Sequence, residues 1–430
     1  MKKILLLAYF IAANQFSYSQ WKQEKFIIGT FADPRITYDN NFKKDSVSFA
    51  LAKNAYINLL TGPQYYMGAK DFSMMDRTLK LAEKFGIKLL VIDSRLRIAD
   101  PTFTEQTAKM IISHFDSLNN KAFAGYYFGG EFSKKNVYYV KKWTAFFKKN
   151  DPQKLAYSYL LPQYAFPTKV KYEDYLNNFL NDGNLPDVVA FDYYPFSKNG
   201  NILNTYFYNL DLIRKRAGNK PFWVYILSVP TPNYSDPTEY QLNFSAFCPI
   251  AYGAKGIIYF TYETIPERYN LKYGDAIIDR YGNPTKKYYI VQKINRYIDN
   301  ILGPVIMNST YIGSYHSGKN STGEILPDNQ TLHTSNLIKN INDNNLLAGL
   351  FKSHNSNMHY LILVNKKKET LSNIQITLHG DFSKSLKEYN RMSSYNGSIT
   401  KKNITSRYEN GNSRFSIDSF SPGEAVLLEF

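Results

Sequence analysis

A chain of 430 residues with 44% hydrophobic and 20% charged residues is too apolar for a disordered polypeptide. It is also too long for one small core, which leaves two domains or one large barrel with an appendage. The formal charge of +16 raises nucleic acid, acidic polysaccharide or an anionic surface as partners, yet the lysines fall in scattered pairs such as Lys43-Lys44, Lys134-Lys135 and Lys286-Lys287, with one triple at Lys366 to Lys368, and solvated helix faces account for these without a nucleic-acid partner.

The chain opens on a secretory pattern. Lys2 and Lys3 give the positive start, residues 4–13 an apolar core too short to span a bilayer, and Ser17 and Ser19 small side chains at a cleavage spacing, so residues 1–19 read as a leader cut after Ser19. Removal of Lys2 and Lys3 lowers the charge from +16 to +14. No cysteine stands near the cut, which argues against a lipoprotein. The one cysteine, Cys248, lies in an apolar helical stretch and reads as a buried small hydrophobe. Export without disulfides suits a bacterial periplasm or exterior, with no membrane anchor and a monomer or weak oligomer held by a large core.

From residue 20 onward, short β-rich runs alternate with amphipathic helical runs. Residues 25–31 form a first strand ending at Asp33-Pro34-Arg35, and a helix over 42–53 leads to a second strand, 55–60. Met74, Met75, Leu79, Leu81 and Ala82 mark a helical stripe over 72–85, which Gly86 ends. The third strand, 87–92, delivers Asp93-Ser94-Arg95. A helix over 103–115 precedes the run Gly125-Tyr126-Tyr127-Phe128-Gly129-Gly130-Glu131, an apolar strand that stops at two glycines and presents a carboxylate. Helix 137–149, strand 155–161, helix 172–180, strand 187–191 ending in Asp192, helix 202–217 and strand 222–227 follow. Asp236-Pro237-Thr238-Glu239 has the form of a helix start, with Asp236 as cap. That helix runs to Ala254, strand 257–261 ends in Tyr262-Glu263, and a closing helix over 288–301 stops at Gly303-Pro304.

Eight such repeats over residues 20–307 predict an α/β fold, a (β/α)8 TIM barrel. A doubly wound sheet would carry a Gly-rich phosphate loop after its first strand, and Gly29-Thr30-Phe31-Ala32-Asp33 does not match one. Over 308–430 the composition turns to Asn, Ser and Lys, and the runs 359–364, 374–378, 414–417 and 425–430 predict a small all-β C-terminal antiparallel sandwich, with residues 316–346 as long polar loops.

Histidine usage narrows the chemistry. Only His114 falls in the barrel, mid-helix, so a Ser-His-Asp site or a His-rich zinc site is hard to build there; no cofactor is implied, and a magnesium site made only of carboxylates stays open. What the strand ends offer is carboxylates: Asp33, Asp93, Glu131, Asp192 and Glu263. Glycoside hydrolysis needs two, one donating a proton to the leaving oxygen and one serving as nucleophile or base. The preferred catalytic pair is Glu131 with Asp192, after strands four and six. Either could instead be structural, Glu131 as charge at the start of the next helix and Asp192 as a brace for a tyrosine or arginine. Asp33 beside Arg35 and Asp93 beside Arg95 read as structural or substrate-positioning ion pairs, and Glu263 as a solvated loop residue. Tyr65, Gln163, Tyr194, Trp223 and Tyr262 complete the candidate substrate-binding set, because aromatic faces suit a carbohydrate substrate.

The runs 125–133, 160–165, 187–196 and 251–262 resemble secreted Bacteroidetes glycoside hydrolase-like barrels and, more distantly, the family 42 β-galactosidase barrels of clan A. The resemblance implies an Asn-Glu pair after strand four, with Glu as acid/base, and a nucleophilic Glu after strand seven. Glu131 matches the first. Gly130 stands where the Asn is expected, and strand seven carries no carboxylate. The departure leaves two readings: Asp192 takes the second role, as in clan D barrels, or the protein binds glycans without cleaving them.

Overall fold

The computed structural model describes residues 20–31, 42–63, 72–181, 186–265, 272–317, 337–342 and 345–430. The proposed leader, Asp33, Arg35 and Tyr65 lie outside the described residues. Eight parallel strands close into a barrel in sequence order: β1 (Ile27–Phe31), β2 (Leu59–Gly62), β3 (Lys88–Val91), β4 (Phe123–Gly130), β5 (Leu155–Leu160), β6 (Val189–Asp192), β7 (Phe222–Leu227) and β8 (Gly256–Phe260), which pairs back onto β1. The helices between and after them are α1 (Phe42–Asn54), α2 (Ser73–Phe85), α3 (Glu105–Ser117), α4 (Val137–Asn150), α5 (Lys169–Leu180), α6 (Tyr206–Ala217), α7 (Glu239–Ala251) and α8 (Lys286–Tyr297).

Alternation along each strand divides two cores. Trp223, Tyr225 and Leu227 of β7 point into the barrel, while Phe222, Val224 and Ile226 face the helices. Local chemistry fixes where helices start and stop. Thr104 and Thr168 cap α3 and α5 by accepting backbone N–H bonds, and Gly86 ends α2 in the left-handed conformation, φ +63.

Two helix boundaries differ from expectation. Thr238, not Asp236, caps α7: its hydroxyl accepts the Gln241 N–H while the Gln241 side chain accepts the Thr238 N–H. Asp236 instead pairs with Lys287. The closing helix does not stop at Gly303-Pro304. It loosens into a π-turn over Ile298–Leu302 and resumes as α9 (Gly303–Met307), where proline in the first turn costs no hydrogen bond.

The remaining strands form two antiparallel sheets. One runs β15 (Lys401–Asn403), β14 (Lys387–Tyr389), β18 (Ala425–Glu429), β12 (His359–Asn365), β11 (Leu346–Ser353), β9 (Ser309–His316); the other runs β10 (Ile338–Ile341), β13 (Ile374–His379), β17 (Asn412–Ile417), β16 (Arg407–Glu409). Strands β9, β10 and β11 occupy or border the stretch expected to be loop: β9 buries Ser309, Ser314 and His316 instead of apolar side chains, β10 is only four residues with two exposed in the middle, and β11 begins where the polar stretch ends. Leu350, Leu361, Ile376, Phe415 and Val426 fill the space between the sheets. The other face of the larger sheet covers α7, so that Phe351, Ile362, Val364 and Leu427 belong to the same apolar cluster as Phe244, Phe247 and Cys248. Gly349 permits this contact, since a Cβ there would overlap the Ala251 backbone.

Candidate active site

Glu131 is placed by an irregularity in β4. The pairing of β4 with β5 shifts between Tyr127 and Gly130, and Gly130 then lies opposite Tyr159. A Cβ on residue 130 would fall within the Tyr159 ring, so only glycine lets that tyrosine occupy the space. This accounts for the departure from the Asn-Glu pattern: the volume an Asn side chain would need is filled by Tyr159. Glu131 follows in the left-handed region, φ +56, held there by its N–H donating to Tyr159 O at 3.0 Å. A non-glycine residue in this conformation stores of order 1 kcal/mol, and such strain concentrates at functional positions.

Asp192 closes β6. It shares the inward face with Val188, Ala190 and Tyr194 and is 5% exposed, whereas Glu131 is open to the mouth of the barrel. Each carboxyl group shifts the proton affinity of the other. Burial, and then the negative charge of Glu131, pushes Asp192 well above the usual carboxylate range. Burial also raises Glu131, while the hydrogen bond from Asp192 works the other way. Of the two, Asp192 is the more strongly raised, being the more deeply buried. Asp192 Oδ1 is buried, and no N–H or O–H of another described residue donates to it.

Tyrosines surround the pair. The Tyr127 and Tyr159 rings lie 6.5 Å apart, the Tyr157 and Tyr225 hydroxyls lie 3.3 Å apart, and Tyr164 meets Tyr193 edge-on at 5.0 Å. Tyr194 meets Tyr234 edge-on at 5.3 Å and Phe260 at 5.9 Å. Burial raises these phenols, and the carboxylates raise Tyr159 and Tyr194 further, so they are neutral hydrogen-bonding walls at neutral pH. Among the described residues no group of three or more His, Cys, Asp or Glu is placed to hold a metal ion.

The remaining sequence candidates scatter. Asp93 and Arg95 form a two-pronged ion pair, Nε to Oδ1 at 2.8 Å and Nη2 to Oδ2 at 2.5 Å, and the guanidinium lies 3.8 Å over the Phe72 ring. That pair is internally satisfied and acts as a brace. Gln163 is buried just beyond β5, its N–H donating to Asn209 Oδ1 at 3.0 Å. Trp223 is not at the mouth. It is the second residue of β7, at the opposite rim, where its indole N–H donates to Gln23 Oε1 at 2.9 Å and Trp21 packs edge-on at 6.3 Å. Tyr262 is fully buried in the helix-side core, because the inward alternation stops where β8 ends. Glu263 is not solvated: it is 1% exposed, its backbone bridging to Ile278. Only Glu131, Asp192 and Tyr194 of the described candidates meet.

The residues that sequence reasoning missed are Tyr127, Tyr159, Tyr225, Tyr234 and Phe260. Period-two alternation in β4, β5, β7 and β8 marks Tyr127, Tyr159, Tyr225 and Phe260 as inward.

No family model matches the sequence, and no curated protein matches it. Solved structures do share the fold. A Paenibacillus sp. cycloisomaltooligosaccharide glucanotransferase superposes over 94% of this chain and 84% of its own, with a TM-score of 0.60 and 6% identity. A β-galactosidase from the haloarchaeon Halorubrum lacusprofundi gives 0.51 over 68% of this chain at 12% identity, and one from Rahnella sp. R3 gives 0.50 over 73% at 14%. The chain spans 60% and 62% of the lengths of these two β-galactosidases. At such identities the likeness is one of fold: a TIM barrel of the kind found in glycoside hydrolases.

Proposed function

We propose that this protein is an exported glycoside hydrolase that cleaves a glycosidic bond in a poly- or oligosaccharide, with Glu131 as general acid and Asp192 as its partner. What supports the reading is a single observation: carboxyl groups from two strands, 61 positions apart in the chain, meet at the carboxyl end of a closed parallel barrel, where such folds carry their chemistry. The tyrosine walls suit the apolar faces and hydroxyls of a sugar, and the fold neighbours are enzymes named for glycosyl-bond chemistry. In this reading residues 20–307 are the catalytic unit, 308–430 an accessory β-sandwich, and residues 1–19 direct the chain to the periplasm or exterior. No described helix is long and apolar enough to cross a membrane.

A second reading has a specific observation behind it. Beyond Leu227 the chain continues Ser228-Val229-Pro230, so β7 brings no carboxylate to the mouth, and the barrel would then bind glycans without turnover. One experiment separates the two. Reducing-end release from plant, algal and host polysaccharides is expected for the wild type and to fall about 1,000-fold in Glu131→Gln, the range lost with a general acid. Equal release by both proteins removes Glu131 from the chemistry, and binding without release by either favours the second reading.

A further inference from the structure

We propose that the C-terminal sandwich carries a second ligand site, a cleft that takes an acidic sugar residue by its carboxylate or sulfate group. All of its lining residues belong to the sandwich, and binding there is read without turnover, so this inference stands or falls independently of the hydrolase reading.

The cleft follows from how the chain changes sheets. Strand β16 pairs with β17 only through residues 407–409, against residues 412–414. Just before it, residues 404–406 come across from β15 in the larger sheet, where the Ile404 N–H donates to Leu386 O at 3.0 Å. The edge of β17 at residues 415–417 is left without a ladder partner on that side, and a cleft of about 490 Å3 opens between the crossing segment and the strand. That volume lies within the roughly 300–1,000 Å3 that holds a small ligand. Alternation decides which side chains of β17 reach the surface there: Ser413, Phe415 and Ile417 are buried, Arg414 and Ser416 exposed.

The charges along the cleft are unevenly matched. Arg407 and Arg414 stand directly opposite each other across the two strands, a like-charge pair that costs stability until an anion joins it. Glu388 is already held by Arg391 at 2.6 Å and by Lys402 at 3.2 Å, and Lys402 also reaches Asp418 at 3.8 Å. Arg407 meets Glu409 at 3.4 Å with both side chains more than half exposed, a surface pair of the kind that contributes little and is readily exchanged. Arg414 has no ion pair or side-chain hydrogen bond with any described residue. Two guanidinium forks on one face, one of them unclaimed, suit a carboxylate or a sulfate, each of which accepts paired N–H bonds from arginine. Beside them the cleft presents amides and hydroxyls, Gln375 opposite Ser416 and then Asn403 and Thr405, which match the hydroxyls of a sugar ring. Its one aromatic residue, Phe415, is 3% exposed, so no ring face is offered to a nucleobase. The occupant that fits is an acidic oligosaccharide, and the net charge of +16 favours its approach.

The test is calorimetric titration of the full-length mature protein with tetragalacturonate and with a carrageenan tetrasaccharide, each set against its neutral counterpart, carboxyl-reduced or desulfated. Saturable binding is expected for at least one acidic compound, which identifies carboxylate or sulfate as the recognised group, with its neutral counterpart at least about 10-fold weaker. Arg414→Ala is expected to weaken that binding about 10- to 100-fold, the loss that goes with a charge-assisted pair, and Arg414→Lys to restore part of it. Without ligand, Arg414→Ala should melt no lower than the wild type, because it removes one of two opposed cations; a lower Tm would make Arg414 a structural brace and overturn the inference. Glu131→Gln should bind as the wild type does, and a loss of binding there would move the site to the barrel. The inference also fails if neither acidic compound saturates the protein at millimolar concentration, if Arg414→Ala or the neutral counterpart matches the wild-type affinity, or if a thymidine oligonucleotide binds through Arg414 more tightly than either sugar.

Discussion

The two rims of the barrel are lined by the same kinds of residue and differ in how their polar groups are partnered. At the amino-terminal rim, Trp223 donates to Gln23, Gln23 donates on to Lys255 O at 2.7 Å, and the Trp21 N–H reaches Pro152 O at 2.7 Å. At the carboxyl-terminal rim, Asp192 Oδ1 and Thr61 Oγ1 are buried on the inner face with no hydrogen-bond partner from another described residue, and Glu131 is held in a left-handed backbone. A satisfied rim contributes stability, since each closed hydrogen bond there replaces one to water. An unsatisfied and strained rim costs stability and is kept where a ligand completes it.

That contrast can be tested from both ends. Trp223→Ala should give the largest stability loss, about 3–5 kcal/mol for a fully buried tryptophan, measured by urea unfolding, with KM on any substrate found left unchanged; a change in KM without loss of stability would place Trp223 in the site after all. Gly130→Ala should cost about 1–3 kcal/mol by forcing the Tyr159 ring aside, and unlike Trp223→Ala it should also depress activity. An unchanged melting temperature in this variant would show that Tyr159 has another place to go.

Asp151 gives the smallest effect and a pH signature. It lies on the amino-terminal side, outside the strand ring, accepting from the Tyr126 hydroxyl at 2.7 Å, and burial pushes its carboxyl up to about 6. Because the folded pKa exceeds that of the free side chain, the native state holds the proton more tightly; the cost of burying the charge is in force above pH 6 and fades as the pH falls from there toward 4. Asp151→Asn should therefore stabilise the protein by about 1 kcal/mol at pH 8 and by less at pH 5, read as the difference in melting temperature across that range. A difference that does not vary with pH would contradict the assignment.

Most of the barrel was legible in the sequence because each strand is a short apolar run delimited by turn residues and each helix carries a stripe. Its ends were less so. Trp223 was misplaced although strand direction alone puts the second residue of β7 far from the carboxyl rim, and Tyr262 was misplaced because alternation was carried past the end of β8. The convergence of Glu131 and Asp192 on one rim follows from strand polarity. Their mutual influence does not, since it depends on the β4 irregularity, on Gly130 admitting Tyr159, and on the inward turn of a four-residue strand. In the sandwich, β9 and β11 were hidden because the buried positions of β9 are the polar Ser309, Ser314 and His316, and β11 is flanked by a polar stretch that gives no boundary signal.

The sheet that lies on α7 has a thermodynamic consequence. Every residue of α7 from Gln241 to Ala251 is buried, and one side of that helix is covered by residues that come after position 345. Cutting the chain after the barrel would wet an apolar helix face that has no polar counterpart to turn outward, so the barrel cannot be trimmed to a free-standing unit without redesigning that face, and the C-terminal sheets serve as the ninth wall of a nominally eight-sided house.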